Sequence, residues 1–489
     1  MFDKNGACVR WCRVWAVVLS GLFVVMAAGA ARGEVNIKKL KIDLRKTQQT
    51  FHGWGASMAW WAVEAGAWDD AKLDRLVYLI TDVDEGLGLT IFRYNIGGGD
   101  QPGHNHMRRH GDVPGFKASE QAEYDWGQDA AQRRVLLRLN EQIEQPIFEA
   151  FSNSPPWWMT ISGCASGGEE NKDNLKPEME GAFADYLTEV VRAYDQKWGI
   201  RFKTLAPFNE PLAGWWKENG NQEGCNVSVA QQIRVLRECA KQKRLKGMGW
   251  LDLSACDSNS ITNGLKAVRG YQKEGVLGLI AQINTHTYFG HEDREEMKVF
   301  AKQVGKRLWQ SESGPLNTNG LSHWERTMLM AERIVGDINV MEPETWLTWQ
   351  ILGSTDWGYF KQVKHEEGVR PGARLHTTEP NANFYMMRQF TRFVRPGDVV
   401  VRSGEPEEVL IVRTKKGDRV AVVLVNKSRE EKVYDLDFGR LGGLYGDAEA
   451  WVTSENKQYV KRKLVNVKEM VSVPTSPMSV TTVVLRRKK

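Results

Sequence analysis

Hydrophobic and polar positions change their rhythm several times along the chain. The stretch VNIKKLKIDL, residues 35–44, alternates with a period of two and predicts a strand. Eight short apolar runs follow, each ending in polar or Gly-rich text: TFHGWGAS, LTIFRYNIGGG, QPIFEAFSNSPP, FKTLAPFNEP, WLDLSACDSN, IAQINTHTYF, RLWQSESG and ETWLTWQILG. Between several of them lie amphipathic helical patterns such as MEGAFADYLTEVVRAYDQKWG and SVAQQIRVLRECAKQKRL. Strand followed by helix, repeated, predicts a parallel sheet. Eight such units over about 330 residues predict a (β/α)8 TIM barrel of the α/β class. An open doubly wound sheet shares this periodicity, but no Gly-rich dinucleotide loop follows any of the runs.

The barrel rhythm ends near NFYMMRQFTRFVRPGD. Beyond it, EVLIVRTKKGDRVAVVLVNKS, AEAWVTSEN and MSVTTVVLRRK are β-rich runs separated by Gly, Asp and Asn turns, which predicts an all-β sandwich. The orphan strand near the N-terminus is expected to join it. The expected organisation is therefore a signal peptide over residues 1–33, an N-terminal strand of the sandwich within 34–50, a catalytic barrel over 51–385 and the sandwich over 386–489.

Composition narrows the function. Of the chain's 489 residues 42% are hydrophobic and 26% charged, an ordinary globular balance. Its 19 tryptophans are the outlier, and indole faces pack well on the flat apolar faces of sugars. Core packing accounts for part of them. The net charge of +5 is scattered and forms no phosphate-tracking stripe, so no nucleic-acid partner is expected. Residues 1–33 join the basic Lys4, Arg10 and Arg13 to the apolar VWAVVLSGLFVVMAA and the small-residue text AAGAARG, which reads as a cleaved secretory signal. The mature chain is expected to be exported, periplasmic or extracellular, with no membrane segment and as a monomer. Cys8 and Cys12 would leave with the signal. Cys164 and Cys225, both in Gly-rich loops, are expected to form a disulfide, and Cys239 and Cys256 to stay buried and reduced.

Active sites of (β/α)8 barrels form at the C-terminal ends of the strands. The text there contains Arg93, Asn95 and Asp100, then SNSPPWW, Asn209-Glu210, His286 and Tyr288, Glu312 in WQSES, and Trp346, Trp349 and Gln350. Glu210 and Glu312 end the fourth and seventh strands, across the mouth from each other. Two carboxyl groups over an aromatic-lined cleft suit glycoside hydrolysis: one protonates the leaving oxygen, and the other attacks or activates water. Glu149 sits mid-run in IFEAF and reads as the partner of a buried base. The histidines of HNHMRRH, His104, His106 and His110, have no carboxylate or cysteine at a fixed spacing beside them, so the reading is a loop bordering the cleft. No metal and no cofactor is expected.

These residues carry a family likeness. FHGWGASMAWWA, RYNIGGGD, SNSPPWWM, PFNEP, HTYF, WQSESG and YMMRQFTRFVRPG, in this order, resemble glycoside hydrolase family 30, whose members join a barrel to a side β-sandwich that includes an N-terminal strand. The resemblance implies that Glu210 is the acid/base and Glu312 the nucleophile of a retaining enzyme. It implies that Asn209 bonds the sugar 2-hydroxyl, that Tyr288 donates to Glu312, and that Trp349 floors the reacting subsite. Arg93 and Asp100 match residues that anchor sugar hydroxyls or the surroundings of the nucleophile, with an interior ion pair to Glu149 as the alternative for Arg93. Trp157, Trp54 and His286 are expected at the substrate, and Trp346 either there or in the core. WGASMAWWA, GGGDQPGHNHMRR and SNSPPWWMTISGCASGG look most like the endo-β-1,6-galactanase branch, although Ala56 and Met58 depart from the GTSLAWWA of many relatives. β-1,6-Glucan, xylan and β-glucosides are the competing substrates. A glycan-binding protein with an unused cleft is the non-enzyme alternative.

Overall fold

The computed structural model describes residues 36–487 except 317, 354–356, 364–374, 440–444 and 465–468. The expected signal peptide, with Cys8 and Cys12, lies outside the described residues.

Eight parallel strands close into a barrel in sequence order. They are β1 (Gly53–Ser57), β2 (Ile91–Asn95), β3 (Ile147–Phe151), β4 (Thr204–Ala206), β5 (Asp252–Ser260), β6 (Gln282–Phe289), β7 (Arg307–Ser313) and β8 (Thr345–Thr348). Closure comes from the pairing of β8 with β1, Thr345 opposite Gly53. These are the eight apolar runs read from the sequence, each buried on both faces as a parallel strand under helices must be. The helices between them start on side-chain caps: Asp69, Ser228, Ser260 and Ser322 each accept a hydrogen bond from a backbone N–H of the first turn. The helix Glu180–Trp198 ends at Gly199, whose φ of 67° suits a residue without Cβ.

One strand is shorter than its apolar run suggested. β4 stops at Ala206, because Pro207 has no N–H to continue the ladder. Asn209 and Glu210 therefore sit on the loop beyond the strand rather than on its last residues.

After β8 comes an antiparallel pair, Phe360–Val363 with Leu375–Pro380, that the sequence pattern did not reveal. The helix Ala382–Thr391 then leads into the β-sandwich. One of its sheets has seven strands and the other three. Chain before the barrel contributes to both: Asn36–Lys41 runs parallel to Lys432–Asp437 in the smaller sheet, and Thr47–Thr50 pairs with Val399–Val401 in the larger. The strand Arg419–Asn426 explains how sandwich and barrel adhere. Val420, Val422 and Leu424 pack into the sandwich core, whereas Ala421, Val423 and Val425 belong to the core shared with the barrel helices. An alternating strand with both faces apolar has two surfaces to cover, and here each is covered. Gln389 on the linking helix seals the contact, its side-chain amide donating to Thr453 Oγ1 at 2.7 Å and its main-chain carbonyl accepting from Thr482 Oγ1 at 2.8 Å.

Candidate active site

The site is built on a layer of buried charge just below the barrel mouth. Arg93, midway along β2, is fully buried. Its guanidinium donates to Glu149 Oε1 and Glu312 Oε2, both at 3.1 Å, and to Asp257. Glu149 also accepts from Thr204, Ser254, Gln282 and Asn284, so its carboxylate is tied to four neighbouring strands. Arg93 is thus bonded both to Glu149, inside the barrel, and to Glu312. It does not line the cleft.

Glu210 and Asp257 bring the next element together. Both have left-handed backbones, with φ of 50° and 54°, a conformation that costs a non-glycine residue free energy and persists only where its surroundings hold it. The Glu210 N–H donates to the Asp257 carbonyl at 2.8 Å, and the Glu210 carbonyl accepts from the Trp216 indole at 2.9 Å. These bonds hold the Glu210 side chain over the mouth.

His286 stands at the centre. Its Nδ1 lies 3.0 Å from Glu210 Oε1 and 3.5 Å from Glu312 Oε1, and its Nε2 lies 3.2 Å from Asp257 Oδ1. Burial opposes charge on this ring, but Glu312 and Asp257 overcome it and raise the imidazole to about 10. Burial likewise opposes charge on Asp257, yet Arg93 and His286 hold its carboxyl below the ordinary value. Burial pushes Glu312 up to about 7, with Glu210 adding to the rise and His286 and Arg93 opposing it. Tyr288 donates to Glu312 Oε1 at 3.1 Å, and Arg93 to Oε2, so each oxygen of Glu312 has a donor that favours the anion. One carboxylate oxygen of Glu210, one of Glu312 and a ring nitrogen of His286 all lie within 4.8 Å of one another.

Above this layer opens a cavity of about 680 Å³. Glu210, Glu312, Asn209, Tyr288 and Trp349 line it. Asn209 Oδ1 is buried without a partner, as an acceptor reserved for a hydroxyl would be. Trp60 meets Trp349 edge to face at 5.2 Å, and its indole N–H is also unpartnered. Trp215, 46% exposed, and Trp357 supply further apolar wall. Arg108, stacked 4.6 Å over the Trp60 ring, and Arg109 bring positive charge to one side.

Several expected residues lie elsewhere. Trp54 is wholly buried away from the cleft: it packs on Phe51, Trp346 and Phe390 and donates to the Val394 carbonyl at 2.7 Å. In FHGWGASMAWWA the tryptophans that line the cleft are Trp60 and Trp61, beyond the strand end. Trp346 is core, bonded to Asp337. Asp100, Trp157 and His286 do not line the cavity. His286 acts from beneath the two glutamates, and Asp100 faces His104 and His106.

The expected Cys164–Cys225 disulfide is also corrected. Both cysteines are buried free thiols. Cys164 Sγ faces His106 Nε2 at 3.4 Å and Ser166 Oγ at 3.1 Å, whereas Cys225 Sγ donates to the Asn226 carbonyl. Cys239 and Cys256 are buried thiols too, raised by burial to about 12 and about 11. Asp257 is the site residue that sequence reasoning missed. Its signal was only a carboxylate late in a strand run, in text that otherwise reads as core.

Comparison with known proteins agrees with this architecture. Residues 37–254 match the model of O-glycosyl hydrolase family 30. The endo-beta-1,6-galactanase of Hypocrea rufa is 26% identical over 452 residues, covering 88% of this chain and 89% of that protein. Among solved structures, a conserved exported protein from Bacteroides fragilis superposes with a TM-score of 0.75 at 19% identity, covering 91% of this chain and all of that one. The catalytic domain of GH30 xylanase C from Talaromyces cellulolyticus gives 0.68 at 17% identity over 92% of this chain and all of its own. Residues 37–254 thus carry the match to O-glycosyl hydrolase family 30, and the barrel with its sandwich is the fold of the solved structures it resembles.

Proposed function

We propose that the protein is an exported, retaining endo-glycosidase that cleaves β-1,6-linked galactan side chains of arabinogalactan-type glycans. The observation that carries the retaining mechanism is the approach of Glu210 and Glu312, whose oxygens come within 4.8 Å. Retaining enzymes hold their carboxyl groups about 5–5.5 Å apart, and inverting enzymes about 6.5–9.5 Å to admit a water.

Glu312 attacks the anomeric carbon as the carboxylate. The bond to the leaving oxygen breaks as Glu210 gives that oxygen its proton. The product is a glycosyl ester on Glu312, which no longer carries charge. Glu210, now an anion, takes a proton from water, whose oxygen attacks the anomeric carbon and releases Glu312. Four carboxyl groups, Glu149, Asp257, Glu210 and Glu312, share two cations, Arg93 and His286, and burial, with Glu210 adding to it, pushes the Glu312 carboxyl up. Asn209 Oδ1 accepts from the sugar 2-hydroxyl, and Trp60 and Trp349 take the apolar sugar face.

The galactan assignment rests on the motif likeness and on the Hypocrea rufa relative. Purified protein incubated with β-1,6-galactan, β-1,6-glucan and glucuronoxylan should release oligosaccharides from the galactan, with the β-anomer appearing first in NMR spectra. Products only from another glycan would refute the substrate, and α-anomer formed first would refute retention. Glu312→Ala should abolish turnover. Glu210→Ala should spare the first step for substrates with good leaving groups, and azide should rescue the second. Full activity in Glu312→Ala would overturn the roles.

A further inference from the structure

The HNHMRRH loop was expected to lack metal-binding company, and the fold supplies it. Asp100 stands four residues before His104 on the loop after β2, and Cys164 comes in from the loop after β3. One ligand atom from each of Asp100, His104, His106 and Cys164 lies within 4.8 Å of the other three. Asp100 Oδ2 is 3.2 Å from His104 Nδ1 and 3.1 Å from His106 Nε2, and Cys164 Sγ is 3.4 Å from His106 Nε2. Zinc bonds of about 2.0–2.1 Å to nitrogen or oxygen and about 2.3 Å to sulfur put tetrahedral ligand atoms roughly 3.3–3.6 Å apart. Three of the six pairs are already near that spacing, and the others lie within 4.8 Å.

The hydrogen bonds around it point the same way. His106 Nδ1 lies 2.6 Å from the Gly220 carbonyl, which can only accept. Nδ1 therefore carries the proton, and in the neutral ring Nε2 offers a lone pair toward Asp100 Oδ2 and Cys164 Sγ. A carbonyl fixing the tautomer of a histidine is the usual outer support of a metal ligand. Asp100 Oδ1 accepts from the Ala165 N–H at 3.3 Å, leaving Oδ2 for the centre. Cys164 is fully buried and Asp100 is 7% exposed, so the ligands are largely withdrawn from water, while His104 leaves one side open at 30%.

We propose that Asp100, His104, His106 and Cys164 form a tetrahedral Zn²⁺ site that clamps the loops after β2 and β3 against the loop after β4, which carries Gly220. Binding displaces the thiol proton of Cys164 to solvent and leaves a thiolate ligand. The clamp is structural. It holds the segment carrying Arg108, Arg109 and His110, all of which line the substrate cavity. It is separate from the Glu210–Glu312 chemistry, and its test does not depend on that reading.

The purified exported chain, reduced and stripped with a strong chelator, is titrated with Co²⁺ and then with Zn²⁺. The expected result is the intense visible spectrum of tetrahedral cobalt with a thiolate-to-cobalt charge-transfer band, bleached by one equivalent of Zn²⁺. Elemental analysis after dialysis should find one zinc per chain. Cys164→Ser should lose the charge-transfer band. His106→Ala should weaken Zn²⁺ binding by more than the roughly 10–100-fold that loss of an outer-shell partner costs. Cys239→Ser, in a helix remote from the cluster, should change neither. A weak octahedral cobalt spectrum and no retained zinc in the folded wild-type chain would overturn the proposal, and would mean that protons rather than a metal hold the cluster together. Wild-type protein carries the decisive spectrum, so a variant that failed to fold would not blunt the test.

Discussion

Tyr288→Phe tests the support of Glu312 most directly. The ring is 7% exposed and would stay in place, while the hydroxyl that donates to Glu312 Oε1 at 3.1 Å would go. A hydrogen bond to a charged group contributes about 1.5–3 kcal/mol. At about 1.36 kcal/mol per pKa unit, its loss raises the pKa of the buried carboxyl by about 1–2 units. The sign is set by which form the hydroxyl stabilises: it donates to the anion, so without it the proton is held more tightly. Glu312 is already pushed up to about 7 by burial, so the acidic limb of kcat/KM should move from near neutrality into the alkaline range. At fixed neutral pH the variant should lose about 10- to 100-fold in kcat/KM and recover part of that as pH rises. The assay is kcat/KM against pH for wild type and variant on one chromogenic glycoside, with the folded state checked by circular dichroism. An acidic limb that stays where it is in a folded variant would refute the claim that this bond sets the protonation of Glu312.

Three further outcomes follow from the geometry. Arg93→Met leaves Glu149, Asp257 and Glu312 buried without their shared cation and should cost about 3–5 kcal/mol in urea unfolding, far more than a surface ion pair; a loss below about 1 kcal/mol would mean the layer is not held by that charge. Trp54→Phe should lower stability by about 1–3 kcal/mol through lost packing and the lost bond to Val394, with KM unchanged; a raised KM at unchanged stability would return Trp54 to the substrate. Glu223, fully buried beneath the loop after β2, has its carboxyl raised from 4.5 to about 8 by burial. The folded state thus holds a proton the unfolded chain has lost, and this contribution is complete below about pH 4.5 and disappears as pH rises through 8. Unfolding free energy should fall by up to about 1.4 kcal/mol per pH unit across that window, and Glu223→Gln should flatten the slope.

Barrel and sandwich were legible because period and punctuation report burial. The barrel strands fall within the apolar runs, β5 alone passing its run by one residue, Ser260, and the change to strands without helices marks the sandwich. The pair Phe360–Val363 and Leu375–Pro380 was not legible, since neither FKQV nor LHTTEP alternates clearly. Glu210 and Glu312 could be picked out because strand ends of a barrel converge, so two distant glutamates become neighbours by topology alone. Trp54 misled because a tryptophan in a strand can face either way, and a Gly-flanked motif does not say which. Cys164 misled for a related reason: two cysteines in Gly-rich loops look free to meet, but Cys164 is turned toward His104 and His106, and only coordinates bring those loops together.

What remained hidden in the sequence explains how the two glutamates come to sit so close. Their approach would be prohibitive in a dry interior without compensation, since like charges a few ångströms apart repel strongly when water is excluded. Arg93 and His286 supply that compensation from below, and Asp257 holds both of them in place while its own carbonyl fixes the backbone of Glu210. The positive φ at Glu210 and Asp257 is therefore the backbone consequence of bringing the acids together, and the buried ion layer is its electrostatic counterpart. Removing the Asp257 charge should therefore pull Glu312 two ways: it would let His286 lose its proton more readily and so withdraw positive charge from beside the carboxylate, while also taking away a negative charge that repels it.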